Sequence, residues 1–162
     1  MEEEQLVKKF IANFEKVKRE LHLKTTYEDL DTIFFISDMV KKDGYLTSSI
    51  TRVICHRIMS QFMSWNGYLH GLVMPNPNYM ISVSESENFD EESKQELLNL
   101  MTKVMTFSSR NNSLTFLRDP RADAKFIDDA VAFWKNTFAP ETAKYLAKIE
   151  KSWARKALEH EE

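Results

Sequence analysis

Residues 50–73 read ITRVICHRIMSQFMSWNGYLHGLV, and this stretch decides the fold class. Its apolar side chains recur at steps of three and four residues, the period of one face of an α-helix. They are Ile50, Val53, Ile54, Ile58, Phe62, Trp65, Leu69 and Val73. The run ends before Pro75-Asn76-Pro77-Asn78, which cannot continue a helix. The stretch predicts one long helix, capped by Thr47-Ser48-Ser49 and open to a kink or break at Gly67 and Gly71.

The helical period also covers the chain before this stretch. A first helix is predicted over Glu3–Leu23, where Leu6, Phe10, Phe14, Val17 and Leu21 share a face. A second helix is predicted to open at Thr25, because Thr25 and Glu28 have the spacing of a capping box. It runs through Val40 and ends at Asp43-Gly44. Ile33-Phe34-Phe35-Ile36 gives this helix a wide apolar arc, which predicts burial on more than one side.

The chain beyond the prolines is also predicted to be mainly helical. Asp90 begins a fourth helix that runs through Met105 and weakens at 108–112, and a short segment follows over 114–117. A fifth helix is predicted over 122–138 and a sixth from Pro140. The alternation in 80–84 is typical of a strand, but it is short and isolated, so Tyr79–Asn88 is predicted to be an extended linker.

Composition supports a helical protein. The chain has 162 residues with only 3 Gly and 4 Pro, so few turns are available and most of the length must lie in long elements. The length fits one domain with one core. We therefore predict a single domain over 1–162, all-α, with five to six long helices in a compact bundle or globin-like packing.

Charge and the absence of targeting signals bear on partners and location. The formal net charge is −3, which gives no argument for binding nucleic acid or an anionic membrane. The first residues, Met-Glu-Glu-Glu, differ from a secretory signal, and no apolar run is long enough to span a bilayer. Cys55 is the one cysteine and is predicted to be a buried, inert thiol. These features predict a cytoplasmic protein.

No common catalytic motif is present. The sequence has no glycine-rich phosphate loop, no His-Glu-x-x-His, no Cys-x-x-Cys and no Gly-x-Ser-x-Gly. No Glu-x-x-His pair lies within a predicted helix, which argues against a diiron bundle. We therefore expect a sensor or binding module and not an enzyme.

A polar stripe interrupts the apolar helix of 50–73. At about 100° per residue, it contains Arg52, His56, Ser60, Met63, Gly67 and His70. Such a stripe lies either at solvent or in an internal hydrated chamber. His56 and His70 lie about 21 Å apart along a continuous helix, so they cannot share a metal ion. One of them could still be an axial haem ligand, which leaves a haem protein as an alternative.

Methionine and phenylalanine are abundant. The chain has 8 Met and 11 Phe, and Met59, Met63, Met101 and Met105 are at helical spacings. Methionine side chains adapt to irregular apolar cavities, so this composition is compatible with a site for an elongated apolar ligand. A soft core without a ligand is the alternative.

Two stretches carry a family resemblance: 27–34, YEDLDTIF, and 64–78, SWNGYLHGLVMPNPN. With them the chain resembles the plasmid-encoded sporulation-inhibitory proteins of bacilli, which are similar to the sensor domain of a sporulation histidine kinase. The likeness extends over most of the chain. It implies a globin-like fold without haem, a homodimer, and a tunnel for a fatty acid beside a hydrophilic chamber that takes a small anion such as chloride.

We assign residues to such a site as a hypothesis. The acyl chain would lie among Phe34, Ile58, Met59, Phe62, Met63 and Met101. Donors for a carboxylate or an anion would come from Arg52, His56, Asn66 and His70. The resemblance further implies that the protein inhibits sporulation by antagonising the kinase, through uptake of its signal or occupation of its partner surface. A helical interaction module without a small ligand is the remaining alternative.

Overall fold

A computed structural model of the chain describes residues 2–44 and 49–161, and this part is helical with no strand. The helices are α1 (Glu2–Leu21), α2 (Tyr27–Phe34), α3 (Ile36–Asp43), α4 (Ile50–Val73), α5 (Met80–Ser86), α6 (Glu91–Leu117), α7 (Pro120–Phe133) and α8 (Ala139–Glu159). A π-helical turn, Trp134–Phe138, connects α7 to α8. The all-α class is confirmed, whereas the globin-like arrangement stays a prediction.

The chain forms two compact units. The first unit comprises Met1–Phe62 and Phe107–Ala132, and the second comprises Met63–Thr106 and Phe133–Glu162. Helices α4 and α6 are each divided between the two units. The expectation of one domain over 1–162 stays a prediction.

Aromatic side chains fill the core of the first unit. Helix α1 packs against α2 and α3, and its buried Phe10 and Phe14 place their ring centroids 6.2 and 5.7 Å from that of Tyr27. Burial raises the pKa of Tyr27, so its hydroxyl stays protonated and bonds Ser37 at 2.7 Å. These contacts explain why the apolar face of the first predicted helix turns inward.

The predicted second helix is two helices. Phe35 adopts a left-handed backbone conformation with φ 56°, which ends α2. Its N–H donates to the carbonyl of Asp31. The carboxylate of Asp31 then accepts from the N–H of Ser37 at 2.8 Å and caps the start of α3. The wide apolar arc was therefore misinterpreted, since the break turns Phe35 outward and leaves it 49% exposed.

The cap of α2 lies one residue later than predicted. Thr26 is the N-cap, and its hydroxyl accepts from the N–H of Asp29 at 3.1 Å. Thr25 is instead buried, and its hydroxyl donates to the carboxylate of Asp128 at 2.6 Å. A long-range partner outside the sequence window takes Thr25 away from the capping box.

Helix α4 confirms the prediction for 50–73 and is continuous through Gly67 and Gly71. Of its predicted cap, Thr47 and Ser48 lie outside the described residues. The C-terminal carbonyl groups of α4 have partners on α5: the hydroxyl of Ser82 donates to Gly71 at 3.4 Å, and that of Ser86 donates to Leu72 at 2.8 Å.

The linker predicted over 79–88 is wrong, because Met80–Ser86 is helical. Ser82 and Ser86 are four residues apart, so a helix brings them about 6 Å apart on one face, whereas a strand would separate them by about 13 Å. Their bonds to the end of α4 favour that conformation over the extended one that the alternating pattern suggested.

Helix α6 does not weaken at 108–112 and runs without interruption to Leu117. Asn111 is buried and accepts hydrogen bonds from Arg52, while Arg110 pairs with Asp129 at 2.8 Å and lies 5.4 Å from the ring centre of Phe126. These tertiary contacts outweigh the poor helix propensity of Ser and Asn.

The predicted gap before Pro140 is bridged by the π turn. The N–H of Ala139 donates to the carbonyl of Trp134, five residues back. In a regular α-helix, the ring of Pro140 would clash with the carbonyl of Asn136 and leave it without a donor. The wider turn relieves this conflict, so the chain continues into α8.

Candidate functional site

Arg52, the first residue of the predicted polar chamber, is held within the first unit. Its Nε donates to Oδ1 of Asp123 at 3.0 Å and its Nη2 lies 2.9 Å from the same oxygen. Nη1 donates to the carbonyl of Asn111 at 3.3 Å and to Thr115 at 2.7 Å, and Nη2 donates to Oδ1 of Asn111 at 3.1 Å. All of its N–H groups are directed at these acceptors, which favours a structural role for Arg52 within the first unit.

The two histidines of the predicted chamber lie at the surface. His56 and His70 are exposed, as is the stripe formed by Ser60, Met63 and Gly67. Partial burial and the charge of Arg52 lower the pKa of His56, so its imidazole is neutral near pH 7. Of the two interpretations of this stripe, the structure favours the solvent-facing one.

Asn66 differs from the histidines because it is buried in the second unit. Its Oδ1 has no hydrogen-bond partner among the described residues. It immediately follows Trp65 on α4. Among the predicted polar residues, Asn66 has a buried acceptor left without a partner.

Four of the predicted tunnel residues lie in the core of the first unit. Phe34, Ile58, Met59 and Phe62 are buried, and the rings of Phe34 and Phe62 lie 6.3 Å apart. Phe62 also stacks on Phe107 at 6.2 Å. In the second unit, Met101 is buried and Met63 is exposed. None of these residues lines a cavity described below.

An apolar pocket lies in the second unit beside the π turn. Its volume is about 160 Å³. Helix α4 contributes Trp65, the π turn contributes Trp134 and Phe138, and α8 contributes Ala139, Thr142, Ala143 and Leu146. The rings of Trp134 and Phe138 pack at 5.0 Å. Because the alanine side chains of α8 are short, an open space remains between α8 and the aromatic side chains.

Thr142 is the pocket residue with an unsatisfied polar group. The residue is 5% exposed, and its hydroxyl, which is closed off from solvent, has no hydrogen-bond partner among the described residues. A buried hydroxyl without a partner costs about 1–3 kcal/mol. A ligand that brings a donor or an acceptor to the pocket would recover this free energy once rotation about the Cα–Cβ bond of Thr142 turns the hydroxyl toward it.

The π turn is the feature that opens the pocket wall. One extra residue per turn changes the direction of the side chains on either side of it. Trp134 and Phe138 mark the two ends of the turn, and both line the pocket. Single π turns inside α-helices occur frequently at functional sites.

Sequence reasoning missed this pocket. The sequence places Trp65 on the apolar face of the helix over 50–73 and predicts helices over 122–138 and from Pro140, but it assigns no site to Trp134 or Thr142. The available signal was Pro140, which follows the predicted helix over 122–138 without a glycine or an earlier proline to end that helix and therefore indicated an irregular helix.

Two other features are absent from the part of the chain that the structure describes. No three His, Cys, Asp or Glu side chains lie together in an arrangement that could hold a metal ion. None of the described helices has the length and apolar character needed to cross a membrane. Comparisons of the chain with protein-family models, curated proteins and solved structures gave no match.

Proposed function

We propose that this protein is a ligand-binding sensor module and that the pocket of Trp65, Trp134 and Thr142 is its ligand site. The proposal rests on one observation above all, the buried hydroxyl of Thr142 without a partner in an aromatic pocket. The ligand is a small apolar group that carries one polar atom. The apolar part contacts the indole rings, and the polar atom bonds Thr142.

The volume limits the size of the ligand. A cavity of roughly 150 Å³ holds a molecule such as benzene, with six carbon atoms. The pocket, at about 160 Å³, therefore accepts a ring of that size or a short segment of a longer chain. This is compatible with a fatty acid only if most of the acyl chain lies elsewhere.

The finer proposal comes from the family resemblance. The resemblance implies that the ligand is a fatty acid and that a small anion such as chloride also binds. It further implies that the protein is a homodimer that antagonises a sporulation sensor kinase. In this mechanism the module takes up the signal or occupies the kinase's partner surface, and no reaction is catalysed. Because Arg52 is bound to Asp123, we move the proposed contact with the ligand from Arg52 to Thr142.

Indole N–H signals in NMR spectra test the pocket directly. Phenol and benzene are suitable probes because they differ only in one hydroxyl group. We expect both to shift the signals of Trp65 and Trp134, which line the pocket, while Trp153 serves as an internal reference outside it. Phenol should bind about three- to tenfold more tightly than benzene, because its hydroxyl pairs with Thr142.

Three variants distinguish binding in this pocket from a general effect on the protein. Thr142→Val keeps the shape of the side chain, so it should remove the preference for phenol but leave benzene binding intact. Ala143→Phe should block the pocket, whereas Ala147→Phe, one turn further on the exposed surface of α8, should not. Equal probe binding by the Ala143→Phe and Ala147→Phe proteins would contradict the proposal.

A further inference from the structure

We propose a second, separate binding site in the second unit that takes a small quaternary ammonium ion between the end of α4 and α5. The cavity has a volume of about 280 Å³ and is lined by Gly67, Tyr68, Gly71, Tyr79 and Glu85, among others. It does not depend on the aromatic pocket described above. Its three features are a buried carboxylate, two tyrosine rings and a helix surface without side chains.

The carboxylate of Glu85 provides the charge. Glu85 is only 9% exposed, and no Lys, Arg or His side chain of the described residues forms a salt bridge with it. Its oxygens accept from the hydroxyl of Tyr68, at 3.2 Å to Oε1 and 3.0 Å to Oε2. A buried carboxylate is costly unless a positive charge compensates it, so a cation in the cavity would complete the site.

The tyrosine rings determine what kind of cation fits. Tyr68 is held in place by the bond to Glu85 and by an edge contact of 6.1 Å with the ring of Trp65. Burial raises the pKa of Tyr68 to about 12, with Glu85 adding to the effect, so its hydroxyl remains a donor at neutral pH. Tyr79 supplies a second ring in the cavity lining and is 54% exposed. Aromatic faces attract organic ammonium ions, which are weakly hydrated and bring no hydrogen-bond donors of their own when fully alkylated.

Two glycines leave room for such an ion. A side chain at Gly67 would meet open space, and a Cβ at Gly71 would lie 3.4 Å from the hydroxyl of Ser82. Glycine inside a helix is less favourable than alanine. At these two positions, in the last turns of α4, its effect is to expose the cavity surface to a ligand.

A metal ion fits this lining less well. Calcium and magnesium take six or more oxygen ligands, most of them from carboxylates, carbonyl groups and water. One carboxylate flanked by two aromatic rings matches a quaternary ammonium ion instead, because the charge is met by Glu85 and the methyl groups by the rings.

Choline is the probe. Its matched control is dimethylbutanol, a neutral alcohol of the same shape in which a carbon atom replaces the charged nitrogen. We expect calorimetry or NMR on the full chain to show choline binding at least about tenfold more tightly than dimethylbutanol. Equal affinities, or no saturable choline binding, would overturn the proposal, and this comparison requires no variant.

Three variants assign the binding to this site. Glu85→Gln should weaken choline binding about tenfold or more, whereas Glu87→Gln removes the same charge from an exposed neighbour and should leave it unchanged. Tyr79→Leu should also weaken binding, and Tyr79 is exposed enough for the variant to fold. Unchanged affinity in both Glu85→Gln and Tyr79→Leu would place choline elsewhere and refute the assignment.

Discussion

At the scale of single residues, Asp123 organises the polar contacts of the first unit. It is 1% exposed, accepts from Thr51 at 2.8 Å and pairs with Arg52. The carbonyl of Asp123 also lies 3.8 Å from the thiol of Cys55. One buried carboxylate therefore binds two neighbouring residues at the start of α4, and Arg52 in turn reaches α6 through Asn111.

Asp123→Asn should lower the free energy of unfolding by about 3–5 kcal/mol, because it leaves the guanidinium of Arg52 buried without its counter-charge. Asp129→Asn is the matched control. Asp129 pairs with Arg110 at the surface, so its loss should cost less than about 1 kcal/mol. Urea denaturation measures both values, and similar losses in the two variants would show that the Arg52–Asp123 pair is not specially buried.

Cys55 should be unreactive in the folded protein. Burial raises the pKa of its thiol to about 12, against a smaller opposing effect from the charge of Arg52. At pH 8 the thiolate is therefore rarer than in an ordinary cysteine, and Ellman's reagent should react about a thousandfold more slowly than with the unfolded chain. Reaction at the unfolded rate under native conditions would show that Cys55 is accessible.

At the scale of elements, the left-handed residue between α2 and α3 gives a testable prediction. Phe35→Ala and Phe35→Gly both remove the ring, but only glycine adopts φ 56° without steric cost. Phe35→Gly should therefore be more stable than Phe35→Ala by about 1 kcal/mol. Thermal or urea unfolding compares the two variants, and a more stable alanine variant would mean that α2 and α3 form one continuous helix.

The contact of α5 with the end of α4 is the next prediction. Ser86→Ala removes the hydroxyl that bonds the carbonyl of Leu72 in a buried position, so it should destabilise the protein by about 1–2 kcal/mol. Ser84→Ala lies on the same short helix away from this bond and should cost less. If hydrogen exchange and urea unfolding do not distinguish the two variants, the bond does not hold α5 against α4.

The elements that were predicted correctly depend on local periodicity, and those that were missed depend on distant partners. The repeat of apolar residues was sufficient for α1 and α4. The shifted cap of α2 requires Asp128, which is 103 residues from Thr25, and the helical form of 80–86 requires carbonyl groups on α4. Such contacts cannot be found by inspecting one window of sequence.

At the scale of the whole molecule, the sequence predicted the all-α class but did not locate the candidate site. The hypothesis from the family resemblance placed Arg52, His56, Asn66 and His70 around one chamber, and three of them follow one stripe of α4. The stripe's surface exposure and the partner of Arg52 depend on which helices cover α4, and periodicity does not contain that information. The π turn has a local cause in Pro140, but the pocket beside it also requires Trp65 from α4, which no local pattern connects with the turn.

Native mass spectrometry of the purified protein, followed by solvent extraction of any bound molecule, shows whether the protein carries a ligand. We expect a stoichiometric apolar molecule with one polar group, acquired in the cell or on incubation with fatty acids. The molecule should bind to the wild type and to Ala147→Phe but not to Ala143→Phe, which blocks the pocket. A wild-type protein that stays empty after incubation, or a ligand retained by Ala143→Phe, would contradict the account and favour a helical interaction module without a small ligand.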